Sequence, residues 1–503
     1  MREFRLPKLA YNWISALGAM TALIALMIML FLYVIGIFAK QTNPYLGIIL
    51  YMISPAFLIG GLLLIPVGIF FRWRTLRKSA GVEIPAWPAI DLNRKEQRNA
   101  AAVFVFGSFV FLVVSAVGSY QAFHFTESVT FCGKVCHTVM KPEYTAYQNS
   151  PHARVACVEC HVGPGADWYA KSKLSGLYQV YAVLADVYPR PIEVPIKNLR
   201  PARETCEQCH WPQKFFGSQQ RIFDHYLYDE TNTHWPINLL VKTGGGDPKT
   251  GKVSGIHWHM FIDNRIEYIA RDKSRMDIPW VRKTDLKTGR VIVYQNAENP
   301  LSEEEIKKAT PQILDCMDCH DRPSHIYNPP DHAVDQALLV STLPKELPEI
   351  KKIAVEAISK KYETDEEAIA GIAGTIDDFY RRNYPEIFRD QHALINTAIL
   401  TTQREFARNI FPYMRVRWEA YPNNIGHFYS IGCFRCHEGK HIAEDGQTIT
   451  RECHACHTIL SQGSGERAAW AKDDAGLAFD HPVDIGDAWQ ETGCYECHTG
   501  VQP

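Results

Sequence analysis

The sequence carries almost no excess charge: 53 lysines and arginines stand against 55 aspartates and glutamates, a net of -2 at pH 7. That balance argues against a nucleic-acid partner, which asks for a basic surface. It also lacks a solitary cysteine. All 14 fall into seven close pairs, and none is left over. A cleavable leader is not expected either, because the first apolar run is too long for a signal-peptide core and has no obvious cleavage site.

What is present is repetition. The second cysteine of every pair is followed directly by histidine: Cys157/Cys160-His161, Cys206/Cys209-His210, Cys316/Cys319-His320, Cys433/Cys436-His437, Cys453/Cys456-His457 and Cys494/Cys497-His498. Only Cys132/Cys136-His137, in "TFCGKVCHTVM", has three residues between its thiols instead of two. Zinc half-sites would explain paired cysteines but require no adjacent histidine, and redox dithiols fail on the same ground. Attachment of c-type haem gives every residue a role, since the thiols add to the vinyl groups and the neighbouring imidazole reaches the iron. Seven covalently bound haem c groups are expected, and their propionates make the mature protein more acidic than its sequence.

Three apolar stretches open the chain, Tyr11 to Phe38, Tyr45 to Phe71 and Ala100 to Tyr120. Each is long enough for a bilayer core that needs about 20 helical residues. Arg2, Arg5 and Lys8 precede the first and Arg72, Arg74, Arg77, Lys78, Arg94, Lys95 and Arg98 follow the second, whereas the first loop has only Lys40. The positive-inside rule then puts the amino terminus in the cytoplasm and everything after Tyr120 outside. This matches haem attachment on the outer face of a bacterial inner membrane.

The fold class expected is a membrane-anchored multihaem cytochrome c: three N-terminal transmembrane helices, then a mainly α and irregular periplasmic region packed around haems, with a small β insertion. So little chain is available per haem that the cofactors themselves must form much of the core, and without them the outer region should not fold. Four parts are expected: an anchor at 1–123, a tetrahaem domain at 124–330 with the β insertion near 250–300, a helical connector at 331–420, and a trihaem domain at 421–503. In the insertion, "GIHWHMFIDNRIEYIARD" and "GRVIVYQN" alternate as strands do. Ser302 with Glu305, and Thr364 with Glu367, spell helix-starting capping boxes. In the connector, Ile350, Ile353 and Ala357, then Ile369, Ile372, Ile376 and Tyr380, then Leu394, Ala398, Ile399 and Phe406 recur at the spacing of a buried helical face.

Electron-transfer haems usually take a second axial ligand, and histidines outside the motifs are the candidates. His427, His441 and His481 lie near the last three motifs. His152 and His325 stand out in the first group, where His257 and His259 compete with each other and with His225 for a further place. His124, His234, His332 and His392 have weaker claims, and His454 sits too close to its own motif.

The run "TESVTFCGKVCHTVMKPEYTAYQNSPHARVACVECHVGPGADWYAKSKLSG" behind an apolar helix resembles the NapC/NirT/NrfH family of membrane-anchored quinol dehydrogenases over about residues 100–325. The three spans, seven haems and "GCFRCHEGKH" are similar to the longer inner-membrane cytochromes of the ImcH type. The resemblance implies a first haem beside the membrane whose iron takes a methionine, here Met140, with His137 as the alternative. It implies that His152 serves the third haem and His325 the second, and that Lys171 lines a quinol pocket. The carboxylate expected a few residues on is replaced by Leu174 and Ser175, which leaves Asp167 or Asp186 to substitute. The implied activity is oxidation of a quinol, menaquinol by the resemblance, from the membrane quinone pool. Electrons then pass to a periplasmic multihaem cytochrome or terminal reductase, in anaerobic or extracellular metal respiration. The alternative is a haem-bearing membrane anchor that conducts electrons for a larger respiratory complex.

Overall fold

The computed structural model describes residues 8–38, 49–78, 91–135, 137–196, 200–211, 215, 217–244 and 255–501. Arg2, Arg5, Lys40, Tyr45 and Cys136 lie outside the described residues. The chain forms two compact units, Met1–His137 with Ala156–Val158, and Thr138–Val155 with Glu159–Pro503.

The first unit holds three long helices, α1 (Trp13–Phe38), α2 (Ser54–Lys78) and α3 (Lys95–Thr126). Their apolar stretches, Trp13–Val34, Ser54–Arg77 and Gln97–Thr126, are each long enough to cross a membrane. At about 1.5 Å per residue they exceed a hydrocarbon core of about 30 Å. The third helix overruns the expected Ala100 to Tyr120 at both ends. Helices α1 and α2 touch backbone to backbone: a Cβ on Gly18 would lie 2.6 Å from the Gly61 carbonyl, and one on Gly61 2.7 Å from Ala22 N. Small residues allow this approach where lipid removes the hydrophobic drive for association. The Ser15 hydroxyl fastens the pair by donating to the Ile65 carbonyl at 2.9 Å.

The second unit takes in most of α4 (His137–Gln148) and then α5 (Ala166–Leu184). Two antiparallel sheets follow. One has the order β1-β2-β8-β9, from β1 (Gln219–Tyr226), β2 (His234–Val241), β8 (His457–Gln462) and β9 (Ala469–Trp470). The other has the order β6-β3-β4-β5-β7, from β3 (Asn264–Ile269), β4 (Trp280–Asp285), β5 (Val291–Asn296), β6 (Gln312–Ile313) and β7 (His441–Ala443). Strands from before and after the cysteine-free stretch therefore share both sheets. Leu240 faces Thr458 in one, and Gln295 faces Ile442 in the other.

That cysteine-free stretch forms α6 (Pro330–Leu339), α7 (Ile350–Ser359), α8 (Asp365–Asn383) and α9 (His392–Asn409). Ile350, Ile353, Ala357, Ile372, Ile376, Tyr380, Ala398 and Phe406 are buried, as their spacing predicts. Ile369 is 52 % exposed, and Ala368 takes its place on the inner face of α8, one turn before Ile372. The Ser302/Glu305 capping box is complete. At Thr364 only half forms: its hydroxyl accepts from Glu367 N at 3.1 Å, while the Glu367 carboxylate accepts from Glu363 N instead.

Within "GIHWHM" the expected strand is absent, and Ile256–Met260 is a 3-10 helix. Gly255 before it has φ +95°, and a Cβ there would lie 2.5 Å from the carbonyls of both Gly244 and Lys242. The turn is thus imposed by a backbone approach that only glycine allows.

Candidate functional site

Each standard motif folds as a single turn. The histidine N–H donates to the carbonyl of the first cysteine, His210 to Cys206 at 2.8 Å, His320 to Cys316 at 2.8 Å, His437 to Cys433 at 3.0 Å and His498 to Cys494 at 2.8 Å. Positions four apart on a turn share a face, so the first thiol and the imidazole point the same way. The fourth motif is also capped: the Asp315 carboxylate accepts from Met317 N at 2.8 Å, and Asp318 reaches back to Asp315 N at 2.7 Å.

Six motif histidines each face one histidine from elsewhere in the chain. Ring centres are 6.1 Å apart for His210 and His152, 6.3 Å for His161 and His325, and 6.3 Å for His320 and His257. They are 5.8 Å apart for His437 and His259, 6.2 Å for His457 and His427, and 6.0 Å for His498 and His481. An iron held between two imidazoles, with metal–nitrogen distances of about 2 Å, sets their centres roughly 6 Å apart. His152 and His325 face the third and second motifs, the pairing implied by the family resemblance.

The rings are also turned for ligation. Nδ1 lies against a backbone carbonyl in His152 (Pro323, 3.1 Å), His257 (Thr243, 2.6 Å), His259 (Ile256, 2.9 Å), His325 (Glu143, 3.0 Å) and His437 (Thr450, 2.8 Å). A carbonyl can only accept, so Nδ1 carries the proton and Nε2 keeps its lone pair, the arrangement that orients metal-bound imidazoles. Burial pushes His259 and His457 down to about 4 and also lowers His320 and His427. They are neutral near pH 7, as a metal ligand must be.

Four of these pairs line one continuous cavity of 2860 Å³, together with ten motif cysteines. A site for one small ligand measures about 300–1,000 Å³, so this space is shaped for several bulky groups. Among the described residues no three His, Cys, Asp or Glu side chains converge as a metal cluster would. Two histidines per iron, with the remaining positions filled by a macrocycle, fit that pattern. Thiols of different motifs adjoin: Cys206 hydrogen-bonds Cys316, and Cys132 hydrogen-bonds Cys157, which holds the Cys157 thiol down to about 7.

In the last motif Cys494 lines this cavity and Cys497 is exposed, on a turn, Cys494–Cys497, with no buried residue.

His441 stands elsewhere. It is fully buried, with Nδ1 on Glu438 at 2.6 Å and Nε2 on the Ile278 carbonyl at 2.8 Å. Both nitrogens are engaged, and the place expected for it, opposite one of the last three motif histidines, is taken by His259. His257 and His259 do not compete: each faces a different motif. His225 adjoins Asp335 at 3.6 Å, and His234 bonds Asp224 at 2.8 Å. His137 opens α4 at an exposed position, and Met140 follows one residue short of a full turn later.

Residues 94–194 match the N-terminal region of the NapC/NirT cytochrome c family. The chain is 45 % identical over 488 residues to the cytochrome c-type protein ImcH of Geobacter sulfurreducens, covering 97 % of this chain and 95 % of that protein. The chain belongs to the NapC/NirT cytochrome c family. A second NapC/NirT-type relative, the cytochrome c-type protein NrfH of Wolinella succinogenes, is 28 % identical over 122 residues, 24 % of this chain and 68 % of NrfH. No solved structure matches. Membership makes the protein an electron-transfer cytochrome with covalently bound haem c, anchored in the inner membrane by α1–α3.

In this NapC/NirT cytochrome Asp167 and Lys171 lie one turn apart on α5, both exposed, with the Lys171 ammonium 4.6 Å above the Trp168 ring. Leu174, Leu177, Tyr178, Tyr181 and Leu184 continue along that helix and are all at least 60 % exposed. Asp186 pairs with Arg190. Arg435, inside the fifth motif, carries no signal in the sequence, yet it is buried and bonded to the fourth motif.

Proposed function

We propose that this chain is an inner-membrane quinol dehydrogenase that oxidises menaquinol and passes electrons through seven c-type haems to a periplasmic multihaem cytochrome or terminal reductase. Its amino terminus is cytoplasmic and its haem region periplasmic. The observation that carries the reading is the set of six histidine pairs at iron-spanning distance, each joining a cysteine motif to a distal ring. Bound haem supplies one-electron chemistry. The protein's part is ligation, spacing and exclusion of water: His161, His210, His320, His437, His457 and His498 would each hold the haem of their own motif, with His325, His152, His257, His259, His427 and His481 as the respective partner ligands. Met140 or His137 serves the first.

The quinol loses two electrons and two protons. Lys171 donates a hydrogen bond to the quinol oxygen. Asp167, one turn away on the same face, accepts one proton through water and the other passes to the outer solvent, while the electrons leave singly through the haems. The exposed apolar residues of α5 support this placement, since the quinol ring and tail need an apolar approach. Haem assay should return seven per chain, and six would remove the first motif from the scheme. Oxidised protein mixed with a menaquinol analogue should be reduced without any added subunit, and Lys171→Ala should slow this about tenfold or more, the worth of one hydrogen bond to a charged group. Reduction that requires a second subunit would favour the conduit reading.

A further inference from the structure

The motifs fall into a group of four and a group of three, separated in sequence by more than a hundred residues, yet one turn of chain serves both. His257 and His259 lie on the same five-residue 3-10 helix. With a rise of about 2 Å per residue, their backbones are about 4 Å apart along its axis. His257 faces His320 of the fourth motif with rings parallel within 2°, and His259 faces His437 of the fifth at 88°. The same two motifs are tied again through Arg435, which lies between the cysteines of the fifth. Arg435 is buried, and its guanidinium donates to the carbonyl of Asp318 inside the fourth motif, to Arg275 O at 3.0 Å and to Gly432 O at 2.8 Å. Asp318, itself buried, accepts from Arg275 at 2.7 Å and from the Tyr268 hydroxyl.

We propose that the Ile256–Met260 turn and Arg435 form a joint that holds the fourth and fifth haems as one fixed pair, and that this joint is where the two haem groups connect. The proposal rests on the paired-histidine reading above. Arg435 is a positioning residue with an electrostatic effect: reduction lowers the charge at iron by one, so a buried cation close by favours the reduced form.

The test uses the full haem-loaded protein in detergent, fully oxidised for the ligation readout and titrated with dithionite for the potentials, so that no quinol step enters. Methionine fills the space of the imidazole and can itself ligate haem iron. His257→Met and His259→Met should each convert about one seventh of the haem from bis-histidine to histidine–methionine ligation, and the double variant about two sevenths. Near-infrared magnetic circular dichroism reads the fraction. Arg435→Gln should lower the potentials of two haems and leave the others, with recovery in Arg435→Lys. The joint is overturned if the double variant converts no more haem than either single one, or if Arg435→Gln moves one potential or none. Wild-type protein without six bis-histidine haems would overturn the pairing itself, a different result from either.

Discussion

Two regions of the second unit solve the same problem by opposite means. Helices α6–α9 build a core from their own side chains: Ile350, Ala354, Val355, Ile372 and Ile376 expose nothing. Around the motifs no described cysteine is buried, and the side chains enclose a 2860 Å³ cavity instead of filling it. One region is a side-chain core and the other is a mould. Burial on folding must come from somewhere, and in the mould it comes from the porphyrin.

The largest expected effect separates them outright. Chain expressed in a host without haem attachment should lose the protease resistance of its motif regions, while segments from 330–410 survive as the longest-lived fragments. Uniform degradation of both would show that the helices depend on the mould. Next in size, Ile376→Ala removes buried aliphatic volume from α8 and should cost about 2–5 kcal/mol in chemical denaturation, with the Soret and ligand-field spectra unchanged. A spectral change would mean the two regions are coupled more tightly than their cores suggest. Smallest, Thr364→Ala removes the hydroxyl that caps α8 and should cost about 1 kcal/mol, measurable in the same titration.

The helical region was legible because a 3.6-residue period reports burial directly, with Ile369 misplaced by one position because a register shift within a helix start costs little pattern. The motif region was legible in its chemistry and not in its pairing. Attachment residues are local, so Cys316, Cys319 and His320 announce themselves together. A distal histidine reaches its iron through tertiary folding, and nothing within a few residues of His259 points to His437. His441 was attractive through its nearness to the fifth motif, yet nearness along the chain placed it in strand β7, where Glu438 and the Ile278 carbonyl claim it. Gly255 gave no hint that it bends the chain, since glycine also sits at the ends of ordinary strands.

That glycine narrows what the protein can become. Any side chain at 255 would collide with two carbonyls at once and push on the turn that carries His257 and His259, so that both proposed ligands would be disturbed together. On the proposed ligation, a single extra carbon there would leave two irons open to oxygen or solvent, although residue 255 itself holds neither of them.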